Sequence, residues 1–289
     1  MPMRFQYKTI LILIVLFTTT ASYGQDKNSY SDKRKGQLSI SWGWNRAAYT
    51  RSNIRFRGSD YDFRLYKVVA HDRPTPFSFR DYMKFSRLTI PQTNLRVSYF
   101  IKDNLALSFG DDHMKYVMDQ NQVARMKGSI TRNGNYKGEH NEEITLSEDF
   151  LTFEHTDGLN YLNIELEKYH TWYHSRNHKL IVSGMYGGGG GVLLPKSNVH
   201  LLDYERNDRF HLSGFGISAK AGVQATFFRH LVVKFENKYG YINMPDIILH
   251  KKGIPGRARQ GFFFAEFYGT IGATFHLANR KLNKIESKL

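Results

Sequence analysis

A histidine and a serine two residues apart are the nearest this chain comes to a nucleophile with its base. The sequence His211-Leu212-Ser213 places both side chains on one face of an extended segment. Acyl transfer needs a hydroxyl nucleophile, a histidine base within reach and a carboxylate that orients the histidine. His211 and Ser213 are therefore candidate catalytic residues, and an interfacial polar pair is the alternative.

A second polar cluster combines histidines with carboxylates. Residues 111–113 end one strand-like segment, and residues 154–157 precede the next. The two groups should meet if these segments are antiparallel neighbours. Such a cluster could bind a divalent cation or act as an acid–base pair, but the commoner role is a hydrogen-bonded loop anchor. We expect an anchor, with no metal site and no cofactor. This rim cluster comprises Asp111, Asp112, His113, Glu154, His155 and Asp157.

The elements that must position these residues are strands with a two-residue period. In the last regular stretch, Phe263, Phe267, Ile271 and Phe275 face one way and polar side chains face the other. A tilted strand needs about 9–11 residues to cross a bilayer. Seven further segments of this kind lie at 38–45, 95–101, 105–110, 162–167, 180–193, 215–227 and 231–241. The pattern predicts an all-β, transmembrane, antiparallel up-and-down barrel of eight strands in an outer membrane.

Connection lengths support this topology. Short connections join the second strand to the third, the fourth to the fifth and the sixth to the seventh, whereas the others span 50–92, 119–158, 194–209 and 246–260. Short periplasmic turns and long extracellular loops are usual in such barrels. Two loops contain strand-like pieces, 54–57 with 61–69 and 123–132 with 144–153, which we expect to form hairpins above the membrane. Placing those pieces in the bilayer gives the alternative of 10–12 strands.

Charged residues occupy the face opposite the apolar one. An eight-stranded barrel has an interior just wide enough to be filled by side chains, and opposite charges that pair there offset their desolvation. We expect this lumen charge network to plug the barrel, and a narrow ion path is the alternative. Its members are Arg96, Glu165, Glu167, Lys220, Lys234, Glu236, Lys238 and Glu266.

The N-terminus predicts export. Arg4 and Lys8 precede a short apolar run, and small residues at 22 and 24 form a cleavage pattern typical of a signal peptide. The predicted organisation is a signal peptide at 1–24, a periplasmic segment at 25–35, the barrel at 36–277 and a basic periplasmic tail at 278–289. A mean hydropathy of −0.49 without a long apolar run after the signal argues against helical membrane spans.

The net charge points to the outer surface. Removing Arg4 and Lys8 from 41 basic residues leaves 39 against 26 acidic residues, a net charge of +13. Lipopolysaccharide phosphates and acidic sugars are the anions that such side chains would meet in an outer leaflet. A glycan, a secreted protein or a partner barrel is an alternative ligand, and the export signal disfavours nucleic acid. The candidate anion-binding loop residues are Arg51, Arg55, Arg57, Lys251, Lys252, Arg257 and Arg259.

Two resemblances refine these predictions. The stretches at 41–50, 110–120, 153–163 and 238–247 resemble uncharacterised outer-membrane β-barrel proteins of Bacteroidetes-type bacteria, which implies the fold and the location, allows association with a larger outer-membrane assembly and brings no assigned activity. His211-Leu212-Ser213 resembles the His-x-Ser element of lipid A deacylases, although no glutamate follows at a comparable distance. We therefore predict a barrel with a structural or binding role and without catalysis. A lipid A or phospholipid acyl hydrolase or acyltransferase is the alternative.

Overall fold

The computed structural model describes residues 33–75, 92–155, 158–177, 179–207 and 209–277, and its regular elements are all strands. Among these residues no helix is long and apolar enough to cross a membrane. The strands are β1 (Gln37–Tyr49), β2 (Ser52–Gly58), β3 (Tyr61–Val68), β4 (Ala70–His71), β5 (Thr93–Lys102), β6 (Leu105–His113), β7 (Tyr116–Met118), β8 (Val123–Ile130), β9 (Gly138–Thr145), β10 (Leu151–His155), β11 (Tyr161–His174), β12 (Leu180–Leu193), β13 (Asn198–Leu201), β14 (Gly214–Phe227), β15 (Leu231–Ile248) and β16 (Gly256–His276).

Eight of these strands close into an antiparallel ring. The order is β1-β5-β6-β11-β12-β14-β15-β16, and β16 pairs back with β1 from Gln37 opposite His276 to Tyr49 opposite Phe264. Outward apolar positions on β16 run from Phe263 to Phe275, which at a tilt of about 40° gives a band roughly 30 Å high. The chain is an eight-stranded outer-membrane β-barrel, so the alternative of 10–12 spanning strands is not adopted.

Three short turns connect ring strands at one end of the barrel. The turn between β14 and β15 has Phe228 and Arg229 at φ 51° and 66°, and His230 N–H donates to Phe227 O. Two consecutive positive φ angles are those of a type I′ hairpin turn, whose twist matches that of the flanking strands.

The ring continues outward as a sheet beyond the membrane band. β2 follows β1 along the same edge of β16, with Asn53 opposite Gly261 and Gly58 opposite Gly256. The pairing then runs β2-β3-β8-β9, and a separate four-stranded sheet has the order β13-β10-β7-β4. Apolar side chains from both sheets form one buried cluster. We call this extracellular part the cap.

The structure differs from the sequence prediction in the second hairpin and in strand lengths. β8 pairs with β9 at 138–145, which shares only residues 144 and 145 with the predicted partner 144–153, and residues 151–153 belong to β10 in the other sheet. β15 ends at Ile248 and β16 begins at Gly256, so the last long connection shrinks to 249–255. A polar segment can extend a strand when it pairs with its neighbours outside the bilayer, and alternation of apolar residues does not reveal this. The predicted signal peptide, most of the 25–35 segment and the basic tail at 278–289 lie outside the described residues.

Candidate anion-binding surface

His211 and Ser213 do not form a nucleophile–base pair. The Ser213 hydroxyl donates to the His211 carbonyl oxygen at 3.2 Å, and the His211 ring instead hydrogen-bonds Asp246 between Nε2 and Oδ2 at 2.7 Å. Both residues precede β14, and Ser213 is buried. A bulge in β15 between Met244 and Ile247 brings Asp246 towards His211. The predicted catalytic arrangement is therefore not assembled by this geometry.

The rim cluster is also dispersed. Asp112 points into the lumen, because its place on β6 has the inward parity of Ser108 and Gly110. Asp111 lies at the neighbouring position of β6 and therefore faces the other side of the strand. His113 Nδ1 lies 2.7 Å from Oδ1 of Asn160 in the loop before β11.

The β10 half of the cluster belongs to the cap. Glu154 Oε2 accepts a hydrogen bond from Arg73 at 3.1 Å, and Glu154 Oε1 accepts one from Asn198 at 2.7 Å. His155 is fully buried, with Nδ1 2.9 Å from the Ser197 hydroxyl, and burial lowers the pKa of His155 to about 3. Asp157 lies outside the described residues. Within the described ranges no group of three or more His, Asp or Glu side chains could hold a metal ion.

All eight residues of the lumen charge network are buried inside the ring. Lys220 Nζ lies 2.9 Å from Glu165, 2.7 Å from Glu167 and 3.0 Å from Glu236. Lys238 Nζ lies 2.7 Å from a second oxygen of Glu165. Charges removed from water need such partners, because an isolated buried charge is very costly.

The remaining members connect through Asp112 and polar side chains. Asp112 accepts from Arg96 at 2.5 Å and from Lys238 at 2.6 Å. Glu266 accepts from Asn94 at 2.9 Å, and Lys234 donates to the Tyr169 hydroxyl at 3.2 Å. The network therefore crosses the lumen from wall to wall.

An arginine near the N-terminus closes the lumen at the end of the short turns. Arg34 Nη2 donates to Thr171 Oγ1 at 2.7 Å and to Ser183 Oγ at 3.0 Å. Its guanidinium carbon lies 5.5 Å from the centroid of the Phe100 ring and 5.4 Å from that of Tyr169, which is within cation–π range. The lumen thus has an aromatic floor, the charge network in its middle and the apolar cap above.

The sequence-predicted arginines come together on one outward face of the cap sheet. Arg259 on β16 is opposite Arg55 on β2, Arg55 is opposite Arg64 on β3, and Arg64 is opposite Lys127 on β8. At about 4.8 Å between strands, this row of four cations spans roughly 14 Å. Like charges directly opposite each other destabilise a sheet, so the row favours an anionic ligand.

A second row lies farther from the membrane. Arg257 is opposite Arg57, and Arg57 is opposite Asp62, which accepts hydrogen bonds from both Arg55 and Arg57. The hydrogen bond from Arg55 lowers the pKa of Asp62. We define the basic wall as Arg55, Arg57, Arg64, Lys127, Arg257 and Arg259.

This arrangement corrects the prediction for Arg257 and Arg259, which the sequence analysis places in the 246–260 connection, whereas Arg55 and Arg57 lie in the hairpin predicted at 54–57 with 61–69. Arg55 and Arg57 are on β2 and Arg257 and Arg259 are on β16, whereas Arg51 lies at the junction of β1 and β2. Strand pairing fixes the backbone of these arginines, so a ligand does not have to order a loop in order to bind them.

An open groove of about 580 Å³ lies at the membrane side of the basic wall. Its cationic lining is Arg51, Arg55, Arg64, Lys67 and Arg259. Tyr241 and Phe263 line the same groove, with ring centroids 4.9 Å apart. The groove therefore combines guanidinium groups with exposed aromatic rings.

Lys251 and Lys252 lie apart from this groove. They are in the 249–255 connection and line a second open pocket of about 490 Å³ with Arg206 and Arg209. Lys251 Nζ lies 2.7 Å from Glu205, and this hydrogen bond raises the pKa of Lys251.

Sequence reasoning missed three partners that complete these sites. Asp112 could have been placed in the lumen by extending the alternation of β6 two residues further. Asp246 follows a proline and sits in a bulge, so no simple period reveals that it meets His211. Lys127 joins the row through a strand order that the chain sequence does not display.

No family model and no curated protein matches this chain. Solved structures that are similar to it include the outer membrane protein OprG from Pseudomonas aeruginosa, with 10% identity over 86% of this chain and 99% of that one and a TM-score of 0.41. Ail, the attachment invasion locus protein of Yersinia pestis, has 10% identity over 83% of this chain and 99% of its own, with a TM-score of 0.28. The outer membrane protease OmpT from Escherichia coli has 9% identity over 83% of this chain and 96% of its own, with a TM-score of 0.36.

The fold assignment rests on the closed ring of this chain and its outward apolar band. The narrower resemblance to Bacteroidetes-type barrels stays a prediction.

Proposed function

We propose that this protein is a closed outer-membrane barrel that binds an anionic component of the cell surface through its basic wall and the groove at the membrane side of that wall. The observation that carries the proposal is the cross-strand row of Arg259, Arg55, Arg64 and Lys127 on one outward face. Arginine binds carboxylate and phosphate groups in bidentate fashion. Lipopolysaccharide, an acidic glycan or an acidic partner protein of an outer-membrane assembly would each supply such groups.

The other two candidate functions have less support. A narrow channel would have to pass the aromatic floor, the charge network and the cap, each of which fills the lumen with side chains. An acyl hydrolase at His211 and Ser213 would need their side chains in contact, whereas Ser213 donates to a backbone carbonyl.

The test compares binding of lipopolysaccharide and of heparin, a soluble polyanion, to the purified barrel. The groove variant replaces four of the five cations that line the groove and carries Arg51→Gln, Arg64→Gln, Lys67→Gln and Arg259→Gln. The turn variant makes the same change of charge at the other end of the barrel and carries Lys102→Gln, Arg176→Gln, Lys179→Gln and Arg229→Gln. Unchanged heat-modified mobility on gels would establish that both variants fold.

We expect the groove variant to lose at least about tenfold in affinity for one or both probes, because a hydrogen bond to a charged group contributes roughly 1.5–3 kcal/mol. The turn variant should bind as the wild type does. Added salt should weaken wild-type binding, because exposed charges are screened. Equal affinities of the groove and turn variants would refute the proposal.

A further inference from the structure

Internal carboxylates compensate three of the six cations of the basic wall, which are Arg55, Arg57 and Arg257. Asp62 lies 3.0 Å from Arg55 and 3.2 Å from Arg57, and Asp246 Oδ1 lies 2.8 Å from Arg257 Nε. Among the described residues, no carboxylate lies within ion-pair distance of the other four cations that line the groove, which are Arg51, Arg64, Lys67 and Arg259. The uncompensated charge is therefore concentrated at the level where lipid headgroups lie.

The groove is shaped by two backbone features. Tyr49 of β1 is opposite Phe264, and Asn53 of β2 is opposite Gly261. The chain from β1 to β2 therefore has one residue more than the stretch of β16 that it pairs with. This bulge at 50–52 carries Arg51. A Cβ on Gly261 would lie 2.5 Å from the Tyr241 hydroxyl, so glycine is what lets the Tyr241 side chain lie across this strand.

The lower edge of the groove continues into the lipid-facing surface. Phe263 is 62% exposed and is the outermost apolar residue of the band on β16. Tyr239, also 62% exposed, and Phe235 follow Tyr241 down the outward face of β15. A ligand whose anionic group enters the groove would thus have its apolar part against these aromatic side chains.

Resting on the proposed function, we propose that the ligand of the groove is a phosphorylated glycolipid of the outer leaflet. A phosphate is held by Arg51, Arg64, Lys67 and Arg259, and an acyl chain lies along Tyr241 and Phe263. A soluble glycan has no acyl chain to lie along the lipid-facing side of this edge, and it would reach the outer row of the wall first, where Asp62 and Asp246 already compensate the arginines.

The test uses the full barrel in nanodiscs of zwitterionic phospholipid. One sample contains diphosphorylated lipid A, and a matched sample contains the dephosphorylated lipid with the same acyl chains. Native mass spectrometry counts the glycolipids retained by each barrel. Inorganic phosphate at millimolar concentration is added in a third arm to separate a lipid headgroup from a free anion.

We expect at least tenfold greater retention of the diphosphorylated lipid, with no displacement by inorganic phosphate. The double variant R51Q/R259Q should lose this preference, whereas R57Q, which changes a compensated arginine, should keep it. F263S should reduce retention of both lipids.

Equal retention of the two lipids, or displacement by inorganic phosphate, would overturn this inference. If heparin still bound the wild type more tightly than the groove variant, the proposed function would stand without it. If the groove variant bound neither probe differently from the wild type, both proposals would fail.

Discussion

At the scale of single residues, Lys220 contacts more carboxylates than any other lumen cation among the described residues. Its ammonium group contacts Glu165, Glu167 and Glu236, which come from two other strands of the ring. Removing one partner of a buried ion pair is strongly destabilising, because it leaves charge uncompensated. The barrel wall therefore depends on this side chain although the residue faces no ligand.

We predict that Lys220→Met lowers the free energy of unfolding by about 3–5 kcal/mol. Urea unfolding in lipid vesicles, followed by tryptophan fluorescence, would measure the change. Lys127→Met is the matched control, because Lys127 is exposed on the cap and its loss should change stability by no more than about 0.5 kcal/mol. Equal effects of the two substitutions would contradict our description of the lumen.

At the scale of elements, the cap contains two buried histidines. Burial lowers the pKa of His155 on β10 to about 3 and that of His250, which follows β15, to about 4. His250 Nε2 lies 2.6 Å from the Tyr61 hydroxyl, and its ring stacks on Tyr204 at 4.2 Å between centroids. Near His250, Asp60 acts to raise its pKa and Arg132 acts to lower it.

These pKa values predict a cap that is weakened by acid. A histidine whose folded pKa is depressed contributes full stability above its unfolded pKa of about 6.5 and loses it as the pH falls towards the folded pKa. At pH 5 the loss should reach about 2 kcal/mol for each histidine. Hydrogen exchange of the cap strands measured at pH 7.5 and pH 5 would detect it.

The variant His155→Gln should show a smaller pH effect in β10, since it removes one of the two titrating groups. Equal protection of the cap strands at both pH values in the wild-type protein would contradict this prediction.

The elements differ in how far sequence could predict them. The ring strands follow from alternation, because lipid on one side and a polar lumen on the other impose opposite side-chain types at successive positions. Gly187, Gly189 and Gly191 blur that alternation on β12. The structure gives a reason, since a Cβ on Gly189 would lie 1.9 Å from the Ile164 carbonyl oxygen and Gly189 is opposite Glu165.

The cap and the binding surface were harder to predict. β8 joins β3 across more than fifty residues of chain, and nothing local in the sequence specifies that partner. The arginines could be identified as candidate anion ligands, but their alignment in one row depends on this long-range register. Long-range register also explains why the predicted rim cluster is not assembled. The cluster required the ends of two strands to be neighbours and their side chains to point to the same side of the sheet.

At the scale of the whole molecule, the barrel is closed at three levels. Arg34, Phe100 and Tyr169 form the floor, paired charges fill the middle, and the cap core covers the top. An eight-stranded ring leaves room for little else. The outer surface of the molecule is thus where a ligand can bind.

A lumen that is closed in this way should not conduct ions. Purified protein inserted into planar bilayers should give no steady conductance above the background in about 1 M salt. At that salt concentration the surface charges are screened, so they would not hide a conducting lumen. Stable, reproducible unitary steps from the wild-type protein would contradict a plugged lumen. A variant in which Lys220 and Arg96 are both replaced by alanine offers the comparison, since it removes two of the cations that fill the middle level.

The most direct measurement is native mass spectrometry of the barrel released from the outer membranes of cells that produce it. We predict that the wild-type protein and the turn variant carry a bound anionic surface component that the groove variant lacks. Identical bound species on the wild-type protein and the groove variant, or none on either, would contradict the claim that the groove beside the basic wall is a binding site.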